Sequence, residues 1–247
     1  MAIQCDWPCN SGAPVLLPGE IHVWSARLDC ADPLLKRLAV NLSVDETARA
    51  NRFFFARDRN AFIVARGILR QLLASYLHRA PTDLQFAYQS RGKPFLAPPY
   101  NGIRLEFNIA HSHGLALMAF SLGSALGVDV EFVRSDFASE EIAERYFAPQ
   151  ELAELLSLPP AQRPEGFFCG WTRKEAYVKA LGDGLQIPLA SFRVSLTPSQ
   201  SAVLECADSG RWSLYSLSPA PDFAGALVAE DKDWRVRCWN WAINGES

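Results

Sequence analysis

Between Gly114 and Val130 the chain is almost continuously apolar, GLALMAFSLGSALGVDV. A stretch of this kind must be buried somewhere, and few solutions are open to it. It falls short of the ~18 apolar residues that a membrane span requires, and Ser121, Gly123 and Ser124 interrupt its middle. Two buried strands joined by a turn at Gly123-Ser124 satisfy the pattern. The second of them ends in Gly127-Val128-Asp129-Val130-Glu131. Side chains alternate across a strand, so Asp129 and Glu131 project from one face while Val128, Val130 and Phe132 occupy the other.

Other segments fall into place around this pair. Residues 1–20, rich in Pro, Gly and Ser, form a loose lead-in to a strand at Ile21–Trp24. Ser43 and Glu46 stand at capping-box spacing, so a helix starts there. Asp58 offers a second cap, followed by Phe62, Ala65, Leu69, Leu72, Leu73 and Tyr76 at helical steps, ending before Pro81. Alternating apolar residues mark strands at 84–88 and 105–109. Short helices are expected at 140–147 and 150–158, and a longer one opens at Pro164, where a first-turn proline is tolerated, and stops at Gly182. Strand character returns near 187–196, 212–217, 224–229 and 234–239. Strands and helices in both halves give an α+β chain split near 123–127, with an N-terminal lobe at 21–124 and a C-terminal lobe at 125–247. The halves share no sequence repeat.

Composition excludes several function classes. With 24 Lys+Arg against 27 Asp+Glu, the basic surplus that phosphate-driven nucleic-acid binding needs is missing. Six cysteines without a CxxC pair suit a reducing compartment, and the N-terminus lacks the basic and apolar regions of a signal peptide. The expectation is a cytoplasmic monomer that binds neither nucleic acid nor membrane.

Two carboxylates on one face of an apolar strand repel each other unless a cation sits between them, and hard oxygen donors favour Mg²⁺. A strand whose polar face meets water is the plain alternative. In Trp171-Thr172-Arg173-Lys174-Glu175-Ala176-Tyr177-Val178-Lys179, residues 171, 175 and 179 share a helix face. A Glu-to-Lys pair at that spacing is also an ordinary surface feature. Together, however, three carboxylates and a lysine are what a diphosphate needs: acids for a metal, and an ammonium for charge on the phosphoryl or leaving group. Arg49, Arg52, Arg57, Arg66 and Arg70 can recruit an anion or lie solvated, and Lys93 sits between a flexible glycine and a stiff proline. His111-Ser112-His113 has no third ligand nearby for zinc.

These residues resemble the 4'-phosphopantetheinyl transferases of the Sfp type. The similarity runs in consistent order over about 43–229: RANRFFFARD, the GKP loop at 92–94, FNIAHS at 107–112, GVDVE, WTRKEAYVKALGDGL at 171–185, and FAGALVA. GVDVE with WTRKEAYVK is the specific pair. The resemblance implies a pseudo-twofold pair of similar α+β lobes with the active site in the cleft, the N-terminal lobe holding the nucleotide of coenzyme A and the C-terminal lobe the metal and the chemistry. It implies Mg²⁺ on Asp129, Glu131 and Glu175, with Glu175 also the general base, and Lys179 on the diphosphate and leaving group. Arg49, Lys93 and His111, helped by Arg91, would hold the 3'-phosphoadenosine part. The implied reaction moves 4'-phosphopantetheine from coenzyme A to a serine of an acyl or peptidyl carrier protein, releasing 3',5'-ADP. A non-catalytic coenzyme A binding or carrier-docking protein is the alternative. A metal-dependent nuclease fits less well, because Val133 stands where its lysine would follow the second carboxylate. Ala110 departs from the family's serine, which implies loss of one hydroxyl contact to the nucleotide.

Overall fold

The structure, a computed structural model, describes residues 6–89, 92–97, 104–136, 139–182, 187–197 and 201–242. In chain order the elements are β1 (Cys9–Asn10), β2 (Glu20–Arg27), α1 (Asp32–Ala39), α2 (Val44–Ala50), α3 (Ala56–Leu77), β3 (Phe86–Tyr88), β4 (Pro94–Leu96), β5 (Leu105–Ser112), β6 (Leu115–Leu122) and β7 (Leu126–Phe132). There follow α4 (Ser139–Tyr146), α5 (Pro149–Ser157), α6 (Arg163–Leu181), β8 (Arg193–Val194), β9 (Leu204–Glu205), β10 (Trp212–Leu217), β11 (Phe223–Glu230) and β12 (Arg235–Trp241).

The apolar run at 114–130 forms β6 and the start of β7, with Gly123 at the turn in the left-handed region where a side chain would be strained. These two strands belong to different sheets. A five-stranded sheet has the order β1-β12-β2-β6-β5, and a three-stranded sheet the order β10-β11-β7. Each sheet carries a long helix on its outer face. Helix α3 packs Val64, Ile68, Leu69, Leu72 and Leu73 onto Trp24, Phe107, Met118 and Phe120 of the larger sheet. Helix α6 packs Phe167, Ala176 and Ala180 toward Ala224, Ala226 and Val228 of the smaller one. The inner faces meet in a third core, in which Ile21, Val23, Leu117 and Ala119 face Val128, Val130 and Leu227. The expected pair of α+β lobes is therefore present, and burial of both sheet faces explains why 114–130 reads as a continuous apolar run rather than an alternation.

Sequence order does not follow the lobes throughout. Strand β12, grouped with the C-terminal lobe by its position in the chain, pairs in parallel with β2 of the N-terminal sheet, Cys238 opposite Val23 and Trp239 opposite Trp24. Helix α1, which sequence patterning did not mark, lies against α3 so closely that a Cβ on Gly67 would come within 2.7 Å of Leu38 Cβ. Helix α3 begins at Ala56 with Phe55 as its N-cap, so Asp58 lies inside the first turn rather than at the cap, where its charge still favours the helix N-terminus. The strand expected at 187–196 is reduced to Arg193–Val194. Pro164 stands in the first turn of α6 as expected.

Candidate active site

The edges of the two sheets run side by side at β5 and β7. The Val128 amide donates to Asn108 Oδ1 at 2.8 Å and the Phe132 amide to Ser112 Oγ at 3.4 Å, so side chains of β5 satisfy the open edge of β7. Alternation along β7 is as the sequence requires: Val128 and Val130 enter the inter-sheet core, while Gly127, Asp129 and Glu131 face α6. Gly127 is where the helix comes closest. A Cβ there would run into the carbonyl oxygen of Ala176 and the amide nitrogen of Ala180, so only glycine lets α6 settle on the strand.

That close approach brings the acidic strand to the helix. Lys179 Nζ donates to Asp129 Oδ1 at 2.6 Å and to the Val128 carbonyl at 3.3 Å. Among the described residues, Asp129 rather than its helix neighbour Glu175 is the ion partner of Lys179. The Asp129 side chain is 8% exposed, and burial pushes its carboxyl up to about 6 despite the ammonium. Negative charge on Glu175 and Glu131 adds to that rise, so the three acids sense one another. Asp129 Oδ2 is buried without a hydrogen-bond partner. Glu131 Oε2 accepts from Ser112 Oγ at 2.6 Å, a contact between lobes that sequence reading missed although Ser112 lay in a quoted motif.

Asp129, Glu131 and Glu175 supply only hard oxygen donors, and the orphaned Oδ2 of Asp129 has an uncommitted lone pair in a buried place, a set suited to Mg²⁺. Among the described residues, no group of three or more His, Cys, Asp or Glu side chains stands close enough to enclose an ion. Asp129 Oδ1 and Glu131 Oε2 are instead engaged by Lys179 and Ser112, while Asp129 Oδ2 stays unpartnered.

A cavity of about 430 Å³ opens beside this pair, between the lobes. Glu175, Val178, Lys179 and Gly182 of α6 form one wall. Arg49, Phe62 and Arg66 of α2 and α3, Gln89, Gly92, Lys93 and Pro94 near β3 and β4, and Asn108, Ile109 and His111 of β5 form the rest. Arg49, Lys93, His111, Glu175 and Lys179, singled out separately along the sequence, thus share one cavity. Asp129 and Glu131 do not line the cavity, Asp129 being joined to it through Lys179, and Arg91 lies outside the described residues. Lys93 Nζ donates to the Lys179 carbonyl at 2.7 Å and to the Leu126 carbonyl at 3.3 Å. It thereby ties the last turn of α6, whose carbonyls lack helix partners, to the start of β7. The His111 imidazole, exposed at the cavity, is pushed below its ordinary value by partial desolvation and by the cations of Lys179 and Arg49.

Other candidates have structural roles. Arg70 is buried, with its guanidinium on Glu46 Oε2 at 2.6 Å and on the carbonyls of Pro81 and Leu84. Glu46 also accepts from the Ser43 amide at 3.0 Å, as the capping box predicts. Burial pushes the Cys169 thiol up to about 11, which leaves it unreactive. Ala110 packs in the inter-sheet core with Leu117 and Val130, whereas Ile109 and His111 border the cavity. A side chain at 110 therefore faces β7, and the expected loss of a nucleotide contact is corrected: a hydroxyl there would meet the strand.

The comparisons with known proteins bear on the same elements. Residues 125–230 match the family model of the 4'-phosphopantetheinyl transferase superfamily, and residues 31–122 match the model described as 4'-phosphopantetheinyl transferase, N-terminal. The chain is 41% identical over 239 residues to the 4'-phosphopantetheinyl transferase HetI of Nostoc sp., covering 97% of this chain and 100% of that one. This chain belongs to the 4'-phosphopantetheinyl transferase superfamily. It is also 28% identical over 168 residues to the 4'-phosphopantetheinyl transferase Sfp of Bacillus subtilis, covering 68% of this chain and 72% of that one. Likeness to solved structures is partial. The holo-[acyl-carrier-protein] synthase of Thermotoga maritima matches with a TM-score of 0.35 and 29% identity, over 44% of this chain and 63% of that one. Among the described residues, no helix is long and apolar enough to cross a membrane.

Proposed function

We propose that this chain transfers the 4'-phosphopantetheine group of coenzyme A to a serine of an acyl or peptidyl carrier protein, with Mg²⁺ as cofactor and 3',5'-ADP as the released product. The observation that carries this reading is the junction of β7 and α6, where Asp129, Lys179 and Glu175 come together at the wall of a cavity whose opposite wall is basic. Membership of the transferase superfamily and the similarity to the 4'-phosphopantetheinyl transferase HetI support it.

Asp129, Glu131 and Glu175 would hold the magnesium, and the orphaned Oδ2 of Asp129 is the donor most ready for it. When bound, the ion neutralises charge on the diphosphate oxygens of the substrate. The rest falls to the chain's own groups. Glu175, on the cavity wall, takes the proton of the carrier serine. The serine oxygen forms a bond to the pantetheine-side phosphorus while the bond from that phosphorus to the bridging oxygen breaks, and 3',5'-ADP departs with that electron pair. Lys179 meets the developing charge on the leaving group. Arg49 and His111 hold the nucleotide, and Lys93 keeps Lys179 in place by gripping its carbonyl.

Intact mass spectrometry of an apo carrier protein, incubated with coenzyme A, Mg²⁺ and this chain, tests the reading. A mass gain of one phosphopantetheine is expected. Coenzyme A binding without that gain, across several carriers, would leave a binding protein in place of an enzyme.

A further inference from the structure

Among the described residues, each acid of β7 is gripped at one oxygen and open at the other. Asp129 Oδ1 accepts from Lys179 at 2.6 Å, while its Oδ2 is buried with no hydrogen-bond partner, on a side chain 8% exposed. Glu131 Oε2 accepts from Ser112 Oγ at 2.6 Å, the short distance of a hydroxyl bonded to a charged carboxylate, which leaves Oε1 for an ion. Lys179 comes from α6 and Ser112 from β5, so the helix holds one acid and the neighbouring sheet holds the other.

The Ser112 hydroxyl is fully committed. A serine carries one proton and a carboxylate only accepts, so that proton goes to Glu131. The oxygen is left to accept, and the Phe132 amide lies 3.4 Å and His113 Nδ1 3.0 Å from it. His113 in turn stacks on Phe132, with ring centres 5.1 Å apart and planes 29° apart, from a left-handed backbone at φ 45°. The register of the two strands fixes the rest. Asn108 meets the Val128 amide and Ser112 the Phe132 amide, so residues four apart on β5 meet residues four apart on β7. Ala110 between them has no polar group, and Ser112 is the one hydroxyl side chain on β5.

Glu131 needs such a hold. It repels Asp129, two residues away on the same face of the strand, and its side chain is partly open to water, where an unheld carboxylate would turn. We infer that Ser112 is a positioning residue of the metal site: its hydroxyl keeps the Glu131 carboxylate in place, so that a divalent cation meets both acids of β7 rather than one. The inference rests on the transferase reading, in which Asp129, Glu131 and Glu175 hold the magnesium. Hydrogen bonds that orient a ligand in this way govern how tightly the ion is bound.

The probe is Mn²⁺, which suits the same oxygen donors as Mg²⁺. It is titrated into the full chain at fixed coenzyme A and followed by electron paramagnetic resonance. Ser112→Ala is expected to raise the Mn²⁺ dissociation constant about tenfold or more, the usual weight of a bond that orients a metal ligand. Ser112→Thr keeps the hydroxyl and is expected to stay within about threefold of the parent. Ser112→Cys keeps the bulk but offers only a weak donor, so it is expected to fall with Ser112→Ala and carries the test if that variant does not fold. In transfer assays the rate lost in Ser112→Ala is expected to return as Mg²⁺ is raised, a recovery that general loosening of the fold would not give. A dissociation constant equal to that of the parent in folded Ser112→Ala or Ser112→Cys overturns the inference, and so does a Ser112→Thr as weak as Ser112→Ala. A parent that binds no Mn²⁺ overturns the metal assignment and the inference together. The titration needs no carrier, so it judges Ser112 separately from the transfer reaction, which is ruled out if the parent binds Mn²⁺ and leaves every carrier unmodified.

Discussion

The ammonium of Lys179 is bound to Asp129 Oδ1 at 2.6 Å, a contact that spans 50 residues of chain and joins the last turns of α6 to the middle of β7. It sets the distance between the acidic strand and the helix that carries Glu175. Removing the lysine leaves a buried carboxylate short of its partner. For Lys179→Met we expect a loss of about 1–3 kcal/mol of stability in urea unfolding and loss of carrier modification. A variant as stable and as active as the parent would remove this pair from the account.

Glu175 lies on the cavity wall rather than in the core, so its replacement tests chemistry with little disturbance of packing. Glu175→Gln is expected to lower the transfer rate by at least about a hundredfold, the reach of a general base. Coenzyme A affinity is expected to stay within a few-fold of the parent by titration. Equal rates for the two proteins would rule Glu175 out as the base.

Gly127→Ala tests the close approach of helix and strand. The added methyl meets backbone of α6 on two sides, where no side chain can swing away. Overpacking at such a place costs about 3 kcal/mol, so the midpoint of urea unfolding should fall clearly at unchanged slope. A midpoint equal to that of the parent would mean that the helix rides higher than described.

His22 makes stability depend on pH. It is fully buried, accepts at Nδ1 from the Tyr76 hydroxyl at 2.9 Å, and lies 3.4 Å from Glu20 through Nε2. The Tyr76 hydroxyl itself accepts from Trp24 Nε1, which leaves its own proton for the histidine. Burial pushes the imidazole down from 6.5 to about 4, so between those values the unfolded chain binds a proton that the folded chain refuses. Stability is therefore full above about pH 6.5 and falls as pH drops toward 4, by up to about 3 kcal/mol. In His22→Gln this part of the acid limb should flatten when unfolding is followed at several pH values. An unchanged limb would show that other groups set it.

Ala110→Ser places a hydroxyl in the inter-sheet core rather than the cavity. The KM for coenzyme A is expected to stay within about twofold of the parent, since a group that does not touch the ligand does not change its binding free energy. A clear fall in KM would mean that position 110 reaches the nucleotide after all.

Much of this was legible in the sequence because it depends on neighbours in the chain. Alternation along 127–131 put the carboxylates on one face, the helix repeat put Glu175 and Lys179 on another, and the Ser43–Glu46 spacing marked the start of α2. What pairs with what did not follow from spacing. The pairing of β12 with β2, the bond from Ser112 to Glu131, the hold of Lys93 on α6, and the sharing of Glu46 by two arginines all join residues far apart in the chain. By itself the sequence determined which residues alternate, which repeat and which carry charge, since these follow from local geometry. Only the tertiary structure decided which charges are compensated: burial sets the cost of an unpaired ion, and burial belongs to the packed molecule rather than to any segment of it.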